Sequence, residues 1–410
     1  MDKEAPPPIL TLTPLNPAFQ ADPYSILNKV RDEHPIYRDD MAGAFFVSRY
    51  EDVRAVVTDL TMLRHPSAAE PEAFMTRRML DEPVDPDRPP RKPSILNLDD
   101  PDHARIRNPL AQALYRRAAR FKPQVEAIVA ATLDRLEGRE SFDLMAEFAL
   151  PIPIDVIAAI LGVDHERLGE FRTWSEGIIQ VLNPLATPEQ HQEMIRCGDA
   201  LRDYMDAMMA DRRVNPQDDL VTDMVQLQAG GADLADDEIN TNLSALLVAG
   251  NLTTTDLIGN AVRLLLTHPG EKQKLLDDPS LIGAMVEETL RYEPPVDITG
   301  RIAAQPLEVR GCPIKARQSM FLSLRAANRD PAIFDDPDTF NITRKKAPHV
   351  AFGGGAHICI GAPLARLEAT VAMDMLFKRF PGLHLKDAQA RPEWRTLPFF
   401  RGLERLEVGG

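Results

Sequence analysis

Phe352-Gly353-Gly354-Gly355-Ala356-His357-Ile358-Cys359-Ile360-Gly361 is the stretch on which the reading of this chain turns. Three consecutive glycines let the backbone take positive φ and approach a flat partner closely, which larger side chains would prevent. Just beyond Cys359 the pattern becomes helical. The cysteine therefore lies ahead of a helix N-terminus, whose dipole and free amides favour a thiolate. A thiolate beneath a planar cofactor is the implied geometry, and the plainer alternative is an inert cysteine buried in a glycine-rich turn.

Outward from this stretch, a helix is predicted from about Leu364 to Arg379 and another from about Ile282 to Tyr292, the latter closed by Pro294-Pro295. The second carries Glu288-Thr289-Leu290-Arg291. One turn apart, Glu288 and Arg291 share a face and can be buried together with a third partner. A long helix from about Asp236 to His268 begins on Asp236, Asp237 and Glu238, which suit its positive end, and stops at Pro269-Gly270. It contains Ala249-Gly250-Asn251-Leu252-Thr253-Thr254-Thr255-Asp256, where Gly250 costs roughly 1 kcal/mol relative to alanine and so calls for a local reason. Threonine hydroxyls bonding back to preceding carbonyls are the ordinary reading of that segment.

Nearer the N-terminus, Ile36-Tyr37 and Ala44-Phe45-Phe46-Val47 read as short strands, followed by a helix from about Glu51. Residues 64–97 are rich in proline and charge and read as an extended, lid-like segment. Beyond Asp99, helical spacing dominates for some two hundred residues. Leu307-Glu308-Val309 and Ser319-Met320-Phe321-Leu322 read as strands.

With 410 residues and 44% hydrophobic content the chain can bury a large core. Its net charge of -15 argues against a nucleic-acid partner, which needs a cationic face. No signal peptide and no apolar run long enough to span a membrane are visible, so a cytoplasmic protein is expected. Three scattered cysteines, Cys197, Cys312 and Cys359, are too few for a disulfide framework or a four-ligand zinc site.

Together these stretches resemble the cytochrome P450 family. The ten residues ending at Gly361 hold every fixed position of its haem-binding signature. Leu364-Ala365-Arg366 and Glu368 continue its following helix, Glu288-x-x-Arg291 matches its Glu-x-x-Arg pair, and Ala249 to Asp256 resembles its oxygen-activation segment. The resemblance implies a mainly α fold with small β-sheet regions. It implies a single domain over 1–410, made of a 1–63 region with a small sheet, the 64–97 lid and a 98–410 helical core. It also implies haem b held between the long helix and the cysteine loop.

It further implies Cys359 as the axial iron ligand, with Phe352 and Gly353 beside the cofactor. His103 and Arg107, in Asp102-His103-Ala104-Arg105-Ile106-Arg107, are implied as propionate partners together with Arg301 and His357. Glu288 and Arg291 are implied to be structural. Gly250 and Thr253 would open a notch for dioxygen and pass protons. One departure stands out: the family's usual acid before that threonine is Leu252, which relays nothing. Asp256, one turn on, is the candidate substitute, and water with Asn251 is an alternative route.

The implied substrate pocket is mostly apolar and includes Phe74, Met75, Ile178, Ile179, Val181, Leu182, Leu246, Ala249, Val296, Ile298, Phe399 and Phe400. Arg77, Arg78, Arg91 and Lys92 either anchor a carboxylate or are solvated. No nucleotide-binding fingerprint is present, so a ferredoxin-type donor and its reductase are expected to supply electrons. Arg105, Arg116, Arg117, Arg120 and Lys122 form either its docking patch or a solvated cationic face. The expected activity is hydroxylation of a hydrophobic small molecule by dioxygen. A peroxide-driven oxygenase and a non-catalytic haem sensor or carrier are the alternatives.

Overall fold

A computed structural model describes residues 5–74, 76–77, 92–183, 186–345 and 348–410. The chain forms two compact units. One comprises Met1–Pro86, Gly283–Cys359 and Trp394–Gly402, and the other Asp87–Ile282, Ile360–Glu393 and Leu403–Gly410.

The first unit is built on a four-stranded sheet. Strands Ile36–Asp39 and Ala44–Val47 pair antiparallel as a hairpin, Ala44–Val47 runs parallel to Ser319–Ser323, and Ile298–Ile302 pairs antiparallel with Ser319–Ser323. Alternation assigns the two faces. Phe45, Val47, Met320 and Leu322 enter a core with Tyr50, Val53 and Val57 of the helix Tyr50–Thr58. Ala44, Phe46 and Ile298 enter another with Phe19, Leu27 and Val30. The helix Pro23–Glu33 starts cleanly because Asp22 accepts bonds from the Tyr24 and Ser25 amides and Pro23 occupies its first turn.

The second unit is helical. Its central element, Asp236–Thr267, is 32 residues long, about 48 Å at 1.5 Å per residue. Its start is fixed by Glu238, which accepts the Ala235 amide at 3.0 Å. Around it lie Asp102–Ala118, Lys122–Asp134, Pro151–Leu161, Leu168–Ile178, Pro188–Val214, Leu220–Ala229 and Ala362–Arg379. A π-helical turn, Met145–Ala149, packs so closely on the central helix that a Cβ at Gly259 would lie 2.4 Å from the Met145 Sδ. The predominance of helix expected beyond Asp99 is what is found. It is interrupted by the strand Ser141–Asp143, which pairs with Glu407–Gly409 at the chain's end.

Candidate active site

In the first unit the glycine-rich stretch is a rigid loop. Gly353 and Gly355 take φ of 67° and 64°, the left-handed region open to glycine. A Cβ at Gly355 would lie 2.7 Å from the Val57 carbonyl oxygen, and one at Gly354 would lie 3.0 Å from the side chains of Val57 and Thr58. The loop thus sits against the end of the Tyr50–Thr58 helix at a distance only glycine permits. The Gly353 amide donates to Val350 O at 2.8 Å and the Cys359 amide to Phe352 O at 2.9 Å. Buried Arg301 braces the same loop, its Nη2 donating to Gly354 O and Val57 O, both at 3.2 Å. Phe352 and His357 are half-buried.

Val350 and Ala351 are buried, whereas Cys359 is exposed and Ile358 is 46% exposed. A thiol and an apolar side chain displayed together on a braced loop make a surface that fits a flat, largely apolar group with a metal at its centre. Gly355→Ala is expected to cost about 1–3 kcal/mol for the left-handed backbone alone. Overlap with Val57 O adds to this, so the loss should fall at the upper end and is read from thermal unfolding.

Glu288 and Arg291 are both fully buried and joined by two bonds of 2.8 Å. The third partner is Arg344, whose Nε lies 3.2 and 3.1 Å from the two carboxylate oxygens. Arg291 also donates to the carbonyls of Asn328, Pro337 and Thr339. Among the expected pocket residues of this unit, Val296 pairs across an isolated bridge with Phe400, and Asp297 donates its amide to Phe399 O at 2.8 Å. Ile298 is buried in its strand. Phe399 has φ of 68° and stacks on Phe321 at 5.7 Å. Phe74 is half-buried, with its amide on Ala42 O.

In the second unit most of the long helix is buried, yet one stripe is open. Ala249 is exposed, and Ala245, Gly250 and Thr253 are half-exposed. At 100° per residue, Ala245, Ala249, Thr253, Asp256 and Asn260 share one face, so the stripe closes at the fully buried Asp256 and Asn260. Leu246 and Leu252 are buried beside it. Thr253 Oγ1 donates to Ala249 O at 2.9 Å, the back-bond expected of a helical threonine. Asn251 points elsewhere, donating to Ser175 Oγ at 3.0 Å.

His103 is buried, with Nδ1 3.4 Å from Asp100 Oδ1. Burial, and then the Arg107 cation one turn along, lowers its pKa and favours the neutral ring. Arg107 is half-buried on the same helix. Glu368 is buried, and burial alone holds its carboxyl well above the usual carboxylate range. Ile179 is half-exposed at the start of the turn Ile179–Leu182.

Most of the cationic cluster on and just after Asp102–Ala118 meets carboxylates within the unit. Arg117 is 5% exposed and bonds to Asp223 at 2.6 and 2.9 Å and to Asp218 at 3.1 Å. Arg105 bonds to Glu238 at 2.7 Å and to Asp102 at 3.0 Å, Arg120 to Asp218 at 2.8 Å, and Lys122 lies 3.6 Å from Glu126. Arg117 is therefore no part of a solvated face.

Of the lid-segment cations, Arg77 donates to Met41 O at 2.7 Å. Met75, Arg78 and Arg91 lie outside the described residues, as do the side chains of Val181 and Leu182. Two features were not found from the sequence. The backing of the glycine loop by Val57 and Thr58 left no signal. A buried charge network around Arg325 left only an arginine inside the apolar run Phe321 to Ala327. No helix among the described residues is long and apolar enough to cross a membrane.

A thiol displayed on a glycine-fixed loop is what a haem-thiolate protein requires of its ligand. Residues 18–397 match the family model described as cytochrome P450. The chain belongs to the cytochrome P450 family, whose members hold haem through a cysteine thiolate, and it is an oxidoreductase of the monooxygenase kind. Cytochrome P450 107B1 of Saccharopolyspora erythraea is 37% identical over 397 residues, spanning 95% of this chain and 96% of its own length. Ligand-free CYP164A2 of Mycobacterium smegmatis superposes with a TM-score of 0.87 at 34% identity, covering 98% of this chain and 99% of that one. The myxobacterial cytochrome P450 CYP267B1, in complex with myristic acid, gives 0.87 at 32% identity, covering 96% and 98%.

Proposed function

We propose that this chain inserts one atom of dioxygen into a C–H bond of a hydrophobic small molecule, in the cytoplasm, with electrons from a ferredoxin-type donor and its reductase. The observation that carries the reading is Cys359, a thiol displayed on a loop fixed by Gly353, Gly355 and its own amide bond to Phe352. Bound haem supplies thiolate-ligated iron, which favours O–O cleavage. Cys359 provides that thiolate, with Phe352 and Gly353 beside it. Arg107 and Arg301 bring cationic donors to the propionates, and His103 and His357 bring imidazole donors. Phe74, Ile179, Leu246, Ala249, Val296, Ile298, Phe399 and Phe400 supply the apolar surface that selects a hydrophobic substrate.

Proton delivery falls to Thr253 and Asp256. In the described conformation the Thr253 hydroxyl donates to Ala249 O, and turning outward directs that proton to the open stripe. Asp256, on the same face where the stripe closes, is the acid that replenishes it in place of Leu252. Asp256→Asn and Thr253→Ala are expected to keep full haem content while product formation falls on the order of 100-fold and peroxide release rises. Unchanged coupling in both variants defeats the relay and favours peroxide-driven oxygenation.

The activity is tested by screening lipophilic compounds, myristic acid first, for a low-spin to high-spin shift, then measuring turnover with a ferredoxin and its reductase. Turnover with peroxide but none with the donor pair overturns the proposal. So does the absence of any spin shift together with the absence of turnover, which is the carrier's signature.

A further inference from the structure

Arg325 lies in the apolar run Phe321-Leu322-Ser323-Leu324-Arg325-Ala326-Ala327, where a strand passes into the short helix Leu324–Ala327. Its side chain is fully buried. Nε donates to Asp297 Oδ1 at 2.6 Å, Nη1 to the Tyr24 hydroxyl at 2.5 Å and to Glu293 Oε1, and Nη2 to Pro294 O at 2.9 Å. Arg401 joins the same group. Its Nε donates to Glu293 Oε1 at 3.3 Å, its Nη1 to Gln20 O at 2.5 Å, and its guanidinium stacks 3.6 Å from the Trp394 ring centre. Two guanidiniums thus face two carboxylates, all buried.

Such a cluster is not explained by stability, because buried ion pairs seldom outperform apolar side chains of the same volume. What it holds is more informative. The Asp297 amide donates to Phe399 O at 2.8 Å, the Arg401 amide to Pro295 O at 2.9 Å, and the Leu324 amide to Asp297 O at 2.9 Å. Residues 294–297 and 399–401 are therefore tied into one block, with Arg325 gripping one side and Arg401 the other. Within the block Phe399 keeps a left-handed backbone, a costly state for a bulky residue that persists only where the surroundings over-determine it.

We propose that Arg325 is a positioning residue for substrate selection. By fixing Pro294 to Asp297 and, through Glu293 and Arg401, the Phe399 turn, it sets the places of Val296, Phe399 and Phe400. The inference rests on the reading of those three residues as substrate-facing. Removing the Asp297 charge together with that of Arg325 leaves Arg401 facing Glu293 at 3.3 Å, so the buried charges stay balanced.

The decisive variant is Arg325→Met/Asp297→Asn in the full-length haem protein, with Asp297→Asn alone as a milder companion and Phe399→Gly as a relief of the left-handed strain. Binding of myristic acid and of testosterone is followed by the spin-state shift, binding of imidazole to the iron serves as control, and amide exchange is measured at Asp297 and Arg401. In the double variant the ratio of the two ligand affinities should change about tenfold or more, with faster exchange at both amides and imidazole binding unchanged. Phe399→Gly should change the ratio, with its relief of left-handed strain partly offsetting the packing lost against Phe321. A lowered melting temperature with an unchanged affinity ratio and unchanged exchange overturns the inference, and so does the same null result in Asp297→Asn and Phe399→Gly if the double variant does not fold. Failure of the haem reading shows separately, as a wild-type carbon monoxide complex without the thiolate band.

Discussion

Cys359→Ser is expected to give a folded chain whose reduced carbon monoxide complex lacks the red-shifted thiolate band and whose oxygenase turnover is lost. The argument separates two roles. The loop is held through the backbone, by the Cys359 amide on Phe352 O and the turns at Gly353 and Gly355, and serine keeps all of these. Because the side chain is exposed, its replacement removes no core contact and should change stability by no more than about 0.5 kcal/mol. The ligand changes completely, since a serine hydroxyl does not ionise near neutral pH and is a harder donor than thiolate. The other two cysteines are less disposed to form a thiolate: burial, and then the Glu193 carboxylate, pushes Cys197 up to about 11, and burial raises Cys312. A thiolate band that survives in Cys359→Ser removes Cys359 from the iron.

Arg291→Ala should be the most damaging substitution for the fold. Breaking a fully buried ion pair costs up to about 3–5 kcal/mol, and toward the lower end here because Arg344 remains on Glu288. Here the arginine also satisfies the carbonyls of Asn328 and Pro337, and each acceptor left dry adds roughly 1–3 kcal/mol, whereas Thr339 O keeps a bond from Arg344 Nη2 at 3.0 Å. Against a total stability of about 5–15 kcal/mol, that loss approaches the whole. Arg344 still faces Glu288, so the carboxylate is not stranded and the defect lies on the carbonyl side. Arg291→Lys should recover little, because an ammonium cannot form the forked contact with Glu288 while reaching three carbonyls. Equilibrium denaturation of both variants checks this, and a loss below 1 kcal/mol for Arg291→Ala defeats it.

Elements whose signals are local were legible. The helix Ile282–Tyr292 ends where Pro294-Pro295 says it must, and Asp236–Thr267 stops one residue short of the expected His268. The helix after the cysteine begins at Ala362 rather than Leu364, because proline is welcome in a first turn and Pro363 occupies it. The hairpin strand Ile36–Asp39 runs two residues past Tyr37, since pairing with Ala44–Val47 decides its length and the apolar pattern does not.

Charges were less legible. Arg105, Arg116, Arg117, Arg120 and Lys122 form one cationic face when only their own helix is considered. Asp102 meets Arg105 locally, but the other residues that neutralise Arg105 and Arg117, namely Asp218, Asp223 and Glu238, lie more than a hundred residues downstream. Which charges meet is a property of packing.

The sequence by itself determined the chemistry: one thiol in a glycine-rich loop, a Glu-x-x-Arg pair, and a long helix with a small residue beside a threonine where Leu252 replaces the acid. These signals survive because each needs particular residue types at short spacing. The tertiary structure alone decided the neighbours: Val57 and Thr58 behind the glycines, Arg344 as third partner of Glu288, the Arg325 cluster beneath Phe399, and the closing of the open stripe at Asp256. Each joins parts of the chain, or buries a face, through contacts that no local pattern encodes, and burial is what gives such contacts their energy.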